Sequence, residues 1–228
     1  MNNTRPKVLV TGPKKPLRFG WWATRYALRH LKLNVEYASP GDHINPEEYD
    51  GLIIGGGDDV KPELYGLLNP DTQRQYDPDR DRFELNLLDN MLNRKVAMLG
   101  ICRGAQLLNV AQGGSLHHDI RPLRSLTSNR RTIRAKKKII VHSHSRLRSI
   151  IGKEQACVNS LHEQAVDRLG GDLRAVASDR DHFIQAIESP SHHFMLGVQW
   201  HPEYLPFQVE QRDLFRGFAR AAHALHQS

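Results

Sequence analysis

The chain has 228 residues, with 39% hydrophobic and 25% charged side chains and a formal net charge of +7. That composition excludes collagen-like, low-complexity and wholly disordered chains, and the length fits one large domain, residues 1–228, able to bury a full core. The charge is local: residues 121–153 hold eleven Lys or Arg and no Asp or Glu, against 21 basic and 25 acidic residues elsewhere.

Residues 7–11 form a short apolar run closed by Gly12-Pro13, which reads as a buried strand and a turn. Trp21, Trp22, Ala27, Leu28 and Leu31 recur at helical spacing and predict a helix over about 20–32, with one tryptophan in the core and the other on a cleft wall. Strands follow at 34–38 and 51–54, the second ending in Gly55-Gly56-Gly57. Phe83, Leu87, Leu88, Met91 and Leu92 mark a helix from about 80 to 93. A strand over 96–101 leads at once into a helix over 103–112. This alternation of apolar strands and helices implies an α/β fold with a parallel sheet covered on both faces. The second half is richer in strands, expected at 139–142, 156–159, 173–178, 183–188 and 194–199, before a final helix over 207–226. The basic stretch at about 121–138 reads as a solvated loop or hairpin. It has no interleaved aromatics for base stacking, so no nucleic-acid partner is expected.

No apolar run approaches the ~20 residues of a membrane helix, and the amino terminus has no secretory apolar run. The expectation is a cytoplasmic protein with reduced thiols and no membrane partner; a homo-oligomer stays open. Paired histidines (His117-His118, His142 with His144, His192-His193) come without Cys-x-x-Cys or His-Glu-x-x-His, so no metal site is expected. Cys157, in an apolar strand, reads as structural.

Gly100-Ile101-Cys102-Arg103-Gly104 lies at a strand–helix junction and has the form of a nucleophile elbow with Cys as nucleophile. The helix that follows presents its positive end, which favours a thiolate and a developing oxyanion. The competing reading is a buried Cys beside a tight turn. A thiolate needs a base and an orienting group. In His201-Pro202-Glu203 the proline favours extended geometry, which places His201 and Glu203 on one side. Gly55-Gly56-Gly57 ends a strand where bare backbone can approach a substrate. Oxyanion donors are therefore assigned to the N–H groups of Arg103 and of Gly57 or Gly56. A phosphate loop is disfavoured, because neither Lys-Ser/Thr nor a G-x-G-x-x-G spacing accompanies the run.

Cys102 with Gly104 and Gln106, together with His201-Pro202-Glu203, resembles the class I glutamine amidotransferase superfamily. Longer blocks resemble its gamma-glutamyl-gamma-aminobutyrate hydrolase group: Gly55 through Tyr65, Arg80-Asp81 with Glu84, Gly100 through Ile120, Val158 through Val166, and Gly197 through Glu203. The resemblance implies a flavodoxin-like, mostly parallel sheet and a Cys102–His201–Glu203 triad. It also implies hydrolysis of a small gamma-glutamyl amine (gamma-aminobutyrate or polyamine type) through a gamma-glutamyl thioester, with no cofactor. By family position, Gln106 would contact the glutamyl part, and Asn159, Ser160, His162 and Gln164 would line the cleft near the leaving group. Strand-end and helix-cap bonding is the alternative for Asn159 and Ser160. Glu163 stands where the group commonly has a second His, Gln185 where it has Glu, and Asp181-His182 where it has Asp-Gly. The first two changes are expected at the outer cleft, where Glu163 would favour a cationic amine. A glutaminase subunit feeding ammonia to a synthase, or a non-catalytic binding protein, are the alternative functions.

Overall fold

The computed structural model describes residues 5–68 and 74–227. The amino-terminal residues 1–4, read above for a secretory run, lie outside them. In chain order the elements are β1 (Lys7–Thr11), α1 (Phe19–Leu28), β2 (Asn34–Ala38), β3 (Gly51–Ile54), α2 (Pro78–Asn93), β4 (Ala97–Ile101), α3 (Arg103–Ala111) and β5 (Leu116–His117). Then come β6 (Thr132–Val141), α4 (Arg146–Ile151), β7 (Gln155–Ser160), β8 (Ala165–Val166), β9 (Arg174–Asp179), β10 (Ile184–Glu188), β11 (Met195–Val198) and α5 (Val209–His226).

One sheet runs in the order β2-β1-β3-β4-β11-β10-β9-β6-β7. Its first half, β2 to β11, is parallel, and the strand-rich second half of the chain extends it with antiparallel pairs. Alternation along the strands feeds two cores. Val8, Val10, Ile53, Leu99 and Ile101 pack with Leu28 of α1, Leu147 of α4 and Phe215 and Phe218 of α5. Leu9, Leu52, Ile54 and Met98 pack with Leu88 and Met91 of α2 and Leu107 and Leu108 of α3. The two-faced parallel sheet is thus the flavodoxin-like α/β arrangement expected from the sequence. Its strands β3, β4 and β11 all end at one edge, where the site lies.

Several readings need correction. The stretch 132–138 is strand, the first part of β6, rather than loop. Its residues are mostly exposed and charged, so no apolar alternation marked it. Cys157 is exposed on the edge strand β7 rather than buried in structure. Trp21 packs on the core and also lines the cleft, while Trp22 faces solvent. Gln185 is buried away from the cleft and donates to Asp179. His182 takes the left-handed backbone (φ +65°) that a glycine would adopt without strain.

Candidate active site

β4 delivers Cys102 at the sheet edge in strained backbone geometry, φ 52° and ψ −105°, a conformation costing about 1–3 kcal/mol. The neighbouring glycines permit it. A Cβ on Gly100 would lie 2.7 Å from backbone atoms of Gly104 and Ala105, and one on Gly104 would lie 2.0 Å from the Ile54 carbonyl oxygen. The Cys102 N–H donates to the Val198 carbonyl (2.7 Å), which ties the elbow to β11. Cys102 caps α3, whose first turn carries no acidic residue, so the positive helix end faces the thiol.

His201 follows β11. Its Nδ1 donates to Glu203 Oε1 at 2.7 Å, and its ring is coupled electrostatically to Cys102. Residues Pro202–Tyr204 form a single 3-10 turn, not the extended stretch expected, and this turn brings Glu203 back under the ring. Tyr204 stacks on the imidazole with centroids 5.1 Å apart. Burial opposes charge on His201, but the charges of Glu203 and Cys102 and the hydrogen bond to Glu203 outweigh it and raise its pKa well above 6.5. The site therefore favours the imidazolium form of His201.

A buried ion network fixes the glycine run that packs against His201. Arg80 donates to the carbonyls of Gly55 (2.8 Å) and Gly56 (2.9 Å) and to Glu84 (2.9 Å). Glu84 also accepts from Thr11 Oγ1 (2.7 Å) and from Arg103, whose second arm pairs with Asp81. Burial pushes Glu84 upward, yet two guanidiniums hold its carboxyl below the ordinary value. Arg80, Asp81 and Glu84 form one of the blocks that carry the family resemblance, and holding this glycine run is their task. The i,i+4 pairing of opposite charges on the helix was the available signal.

The cleft, about 600 Å³, is lined by Cys102, His201, Glu203, Gly56, Gly57, Arg103, Gln106 and His162 among others. Three predicted substrate residues do not line it. Asn159 is fully buried and spends its amide on the backbone of His201. Gln164 is clamped to both backbone groups of Val60 (2.9 and 3.1 Å), so it braces the loop after the glycines. Ser160 faces a separate groove. Gln106 donates to the Gln164 carbonyl (2.9 Å) and to Gln199 Oε1 (3.1 Å), while Gln199 Nε2 approaches Cys102 Sγ at 3.6 Å. Gln199 is a neighbour of Cys102 that spacing alone did not single out. His162 donates Nδ1–H to the Gln164 carbonyl (2.8 Å), and its Nε2 has no hydrogen-bond partner. Burial, aided by Arg124, Lys137 and His201, lowers its pKa to about 3, so the ring is neutral.

At the rim, Glu163 pairs with Arg74 (3.6 Å) and Arg121 (3.3 Å), Asp59 with Arg74 (2.5 Å) and Asp58 with Lys15 (2.9 Å). Arg131 also lines the cleft and has no ion pair among the described residues.

Residues 44–203 match the family model described as Peptidase C26. The chain is 39% identical to "Putative glutamine amidotransferase Rv2859c" of Mycobacterium tuberculosis, over 96% of this chain and 75% of that one. It is 33% identical to the gamma-glutamyl-gamma-aminobutyrate hydrolase PuuD of Escherichia coli K12, over 75% of this chain and 71% of that one. A solved glutamine amidotransferase from Thermotoga maritima shares the fold, with a TM-score of 0.63 and 16% identity over 98% of this chain and 99% of that one. The chain belongs to the Peptidase C26 family and is a class I glutamine amidotransferase-like cysteine hydrolase.

Proposed function

We propose that the protein hydrolyses the gamma-glutamyl amide bond of a small gamma-glutamyl amine. The observation that carries this reading is the line from Glu203 through His201 to Cys102, packed against a rigid glycine run in one cleft. In this reading the Cys102 thiolate attacks the side-chain amide carbonyl. The N–H groups of Arg103 and of Gly57 or Gly56 receive the oxyanion. The His201 imidazolium gives its proton to the departing amine, and a gamma-glutamyl thioester remains. His201, now neutral, takes a proton from water, and the resulting attack releases glutamate and the thiolate.

The rim bears on the leaving amine. Its carboxylates are already paired, Glu163 included, while Arg131 is not. This favours amines ending in a carboxylate, of the gamma-aminobutyrate type, over the cationic polyamines that Glu163 alone would suggest.

The test is glutamate release by the purified chain on a panel of gamma-glutamyl amides with acidic, neutral and cationic leaving groups. Acidic leaving groups are expected to rank first. Cys102→Ala and His201→Ala should each lower the rate by roughly 1,000-fold or more. Intact-mass spectrometry should find one adduct of 6-diazo-5-oxo-norleucine on Cys102. No glutamate from any amide, with Cys102 unmodified, overturns the proposal.

A further inference from the structure

The basic stretch left unused by the hydrolase reading builds a groove of its own. β6 and β7 pair at Thr132↔Ser160 and again at Lys137↔Val158, so five steps along β6 oppose two along β7. The surplus residues bulge out of the sheet. Beneath the bulge lies a groove of about 770 Å³, lined by Arg130, Arg134, Lys136, Lys137 and Arg180, and sharing Arg131 with the catalytic cleft. Thr132 and Ser160 also line it. Among the described residues no carboxylate and no aromatic side chain does.

A solvated basic face would leave all its lysines in water. Lys137 is not in water: it is 8% exposed, and its ammonium makes no hydrogen bond. Its nearest counter-charge, Asp179 Oδ2 at 3.5 Å, already accepts from Arg124 (2.9 Å) and Gln185 (3.2 Å). A buried, under-compensated cation at the wall of a groove lacking acids leaves an anion to be supplied from outside.

We propose that this groove binds oligophosphate anions, at a site separate from the triad and independent of the amide-hydrolysis reading. Guanidinium forks and compact ammonium groups suit phosphate oxygens, and several cations in one small groove call for dense, multiple negative charge. With no aromatic wall, a nucleotide would be held by its phosphates and its base left unread. Burial first, then the nearby Arg124, lowers Lys137 to about 8, with Asp179 and Asp181 opposing; His162 is its neighbour on the cleft side. An anion in the groove therefore acts through the wall on a group that still titrates near neutrality.

Isothermal titration calorimetry of the full chain at fixed salt tests this with tripolyphosphate, metal-free ATP, orthophosphate, citrate and a single-stranded oligonucleotide. Tripolyphosphate and ATP are expected to bind within about 3-fold of each other, and at least 10-fold tighter than orthophosphate or citrate. Arg134→Ala with Lys136→Ala, both exposed, should weaken tripolyphosphate by 10-fold or more. Arg212→Ala with Arg220→Ala, which removes the same charge from α5, should change it less than about 2-fold. From pH 7.5 to 9 the parent's affinity should fall about 5-fold, a loss that Lys137→Arg abolishes because guanidinium does not titrate there. Equal affinity for citrate and tripolyphosphate, or equal loss in the two double variants, overturns the site. An oligonucleotide bound more than 10-fold tighter than tripolyphosphate overturns the ligand class in favour of nucleic acid.

Discussion

Asn159 grips His201 by both backbone groups: its Nδ2 donates to the His201 carbonyl and its Oδ1 accepts the His201 N–H, each at 2.8 Å. Asn159 comes from β7, at the far edge of the antiparallel half of the sheet, whereas His201 follows β11 in the parallel half. The antiparallel extension thus sets the position of His201, the base in the proposed mechanism.

Asn159→Ala should therefore act on turnover more than on substrate affinity. It leaves two buried backbone groups unpaired, at about 1–3 kcal/mol each, and frees the segment that aims the imidazole. A displacement of about 1 Å can cost roughly 100-fold in rate. Steady-state kinetics should give a kcat lowered on that scale with KM changed little, and denaturant unfolding should report the lost stability. An unchanged kcat in a destabilised variant would assign Asn159 to folding alone.

His201 carries the pH prediction. Its folded pKa lies well above the ordinary 6.5. The stability it contributes is fully present below about 6.5 and is lost as pH rises through the folded value. The imidazolium needed to protonate the leaving amine is lost over the same window. Glu203→Gln removes the largest attraction that raises this pKa. The alkaline limb of kcat/KM should then move to lower pH, and thermal stability should begin to fall at lower pH than in the parent. A limb that stays in place, read from rate profiles of both proteins, would locate the titration elsewhere.

Glu84 sits between two buried guanidiniums and is itself fully buried. Glu84→Gln keeps the shape but leaves Arg80 and Arg103 without their shared counter-charge. Breaking a buried pair from one side costs about 3–5 kcal/mol, so the denaturant midpoint should drop accordingly. The glycine run hangs from Arg80, so activity should fall further than the folded fraction explains. A midpoint equal to the parent's would show that the network contributes little net stability.

The parallel half of the sheet was legible because buried strands and amphipathic helices leave strong periodic signals. The elbow was legible because Gly-x-Cys-x-Gly is a local device whose glycines each have a steric reason. What escaped was of two kinds. Short or exposed elements carry little periodicity: α4 has only six residues, although Ser145 caps it and Gly152 closes it in left-handed geometry, and β6 begins among exposed basic residues. Buried polar side chains were the second kind. For Asn159 the strand-end bonding read as the alternative is what the structure shows; Gln164 looks like a cleft residue from its position beside His162, but long-range pairing decides which way its amide points. Gln164 meets Val60, 104 residues away in sequence, and no local pattern encodes that meeting.

Gly56 separates positioning of the base from folding. A Cβ there would lie 2.4 Å from His201 Cε1 and 3.2 Å from its Nε2. The imidazole cannot swing away freely, because Glu203 holds Nδ1, Asn159 holds the backbone and Tyr204 covers the ring. In Gly56→Ala the methyl group and the ring must part by shifting one or the other, and the ring is the end attached through a rotatable side chain. The glycine carbonyl stays on Arg80, so the fold should survive with a small loss of melting temperature. Gly104→Ala is the contrast: its Cβ would strike the Ile54 carbonyl at 2.0 Å, backbone against backbone, and should destabilise the whole sheet edge. For Gly56→Ala the expected result is a rate of glutamate release lowered by roughly 100-fold, with slower alkylation of Cys102 by iodoacetamide near neutral pH as the sulfur loses the His201 ring beside it. A variant that alkylates at the parent's rate while losing activity would mean that the methyl group blocks the substrate and leaves the pair intact.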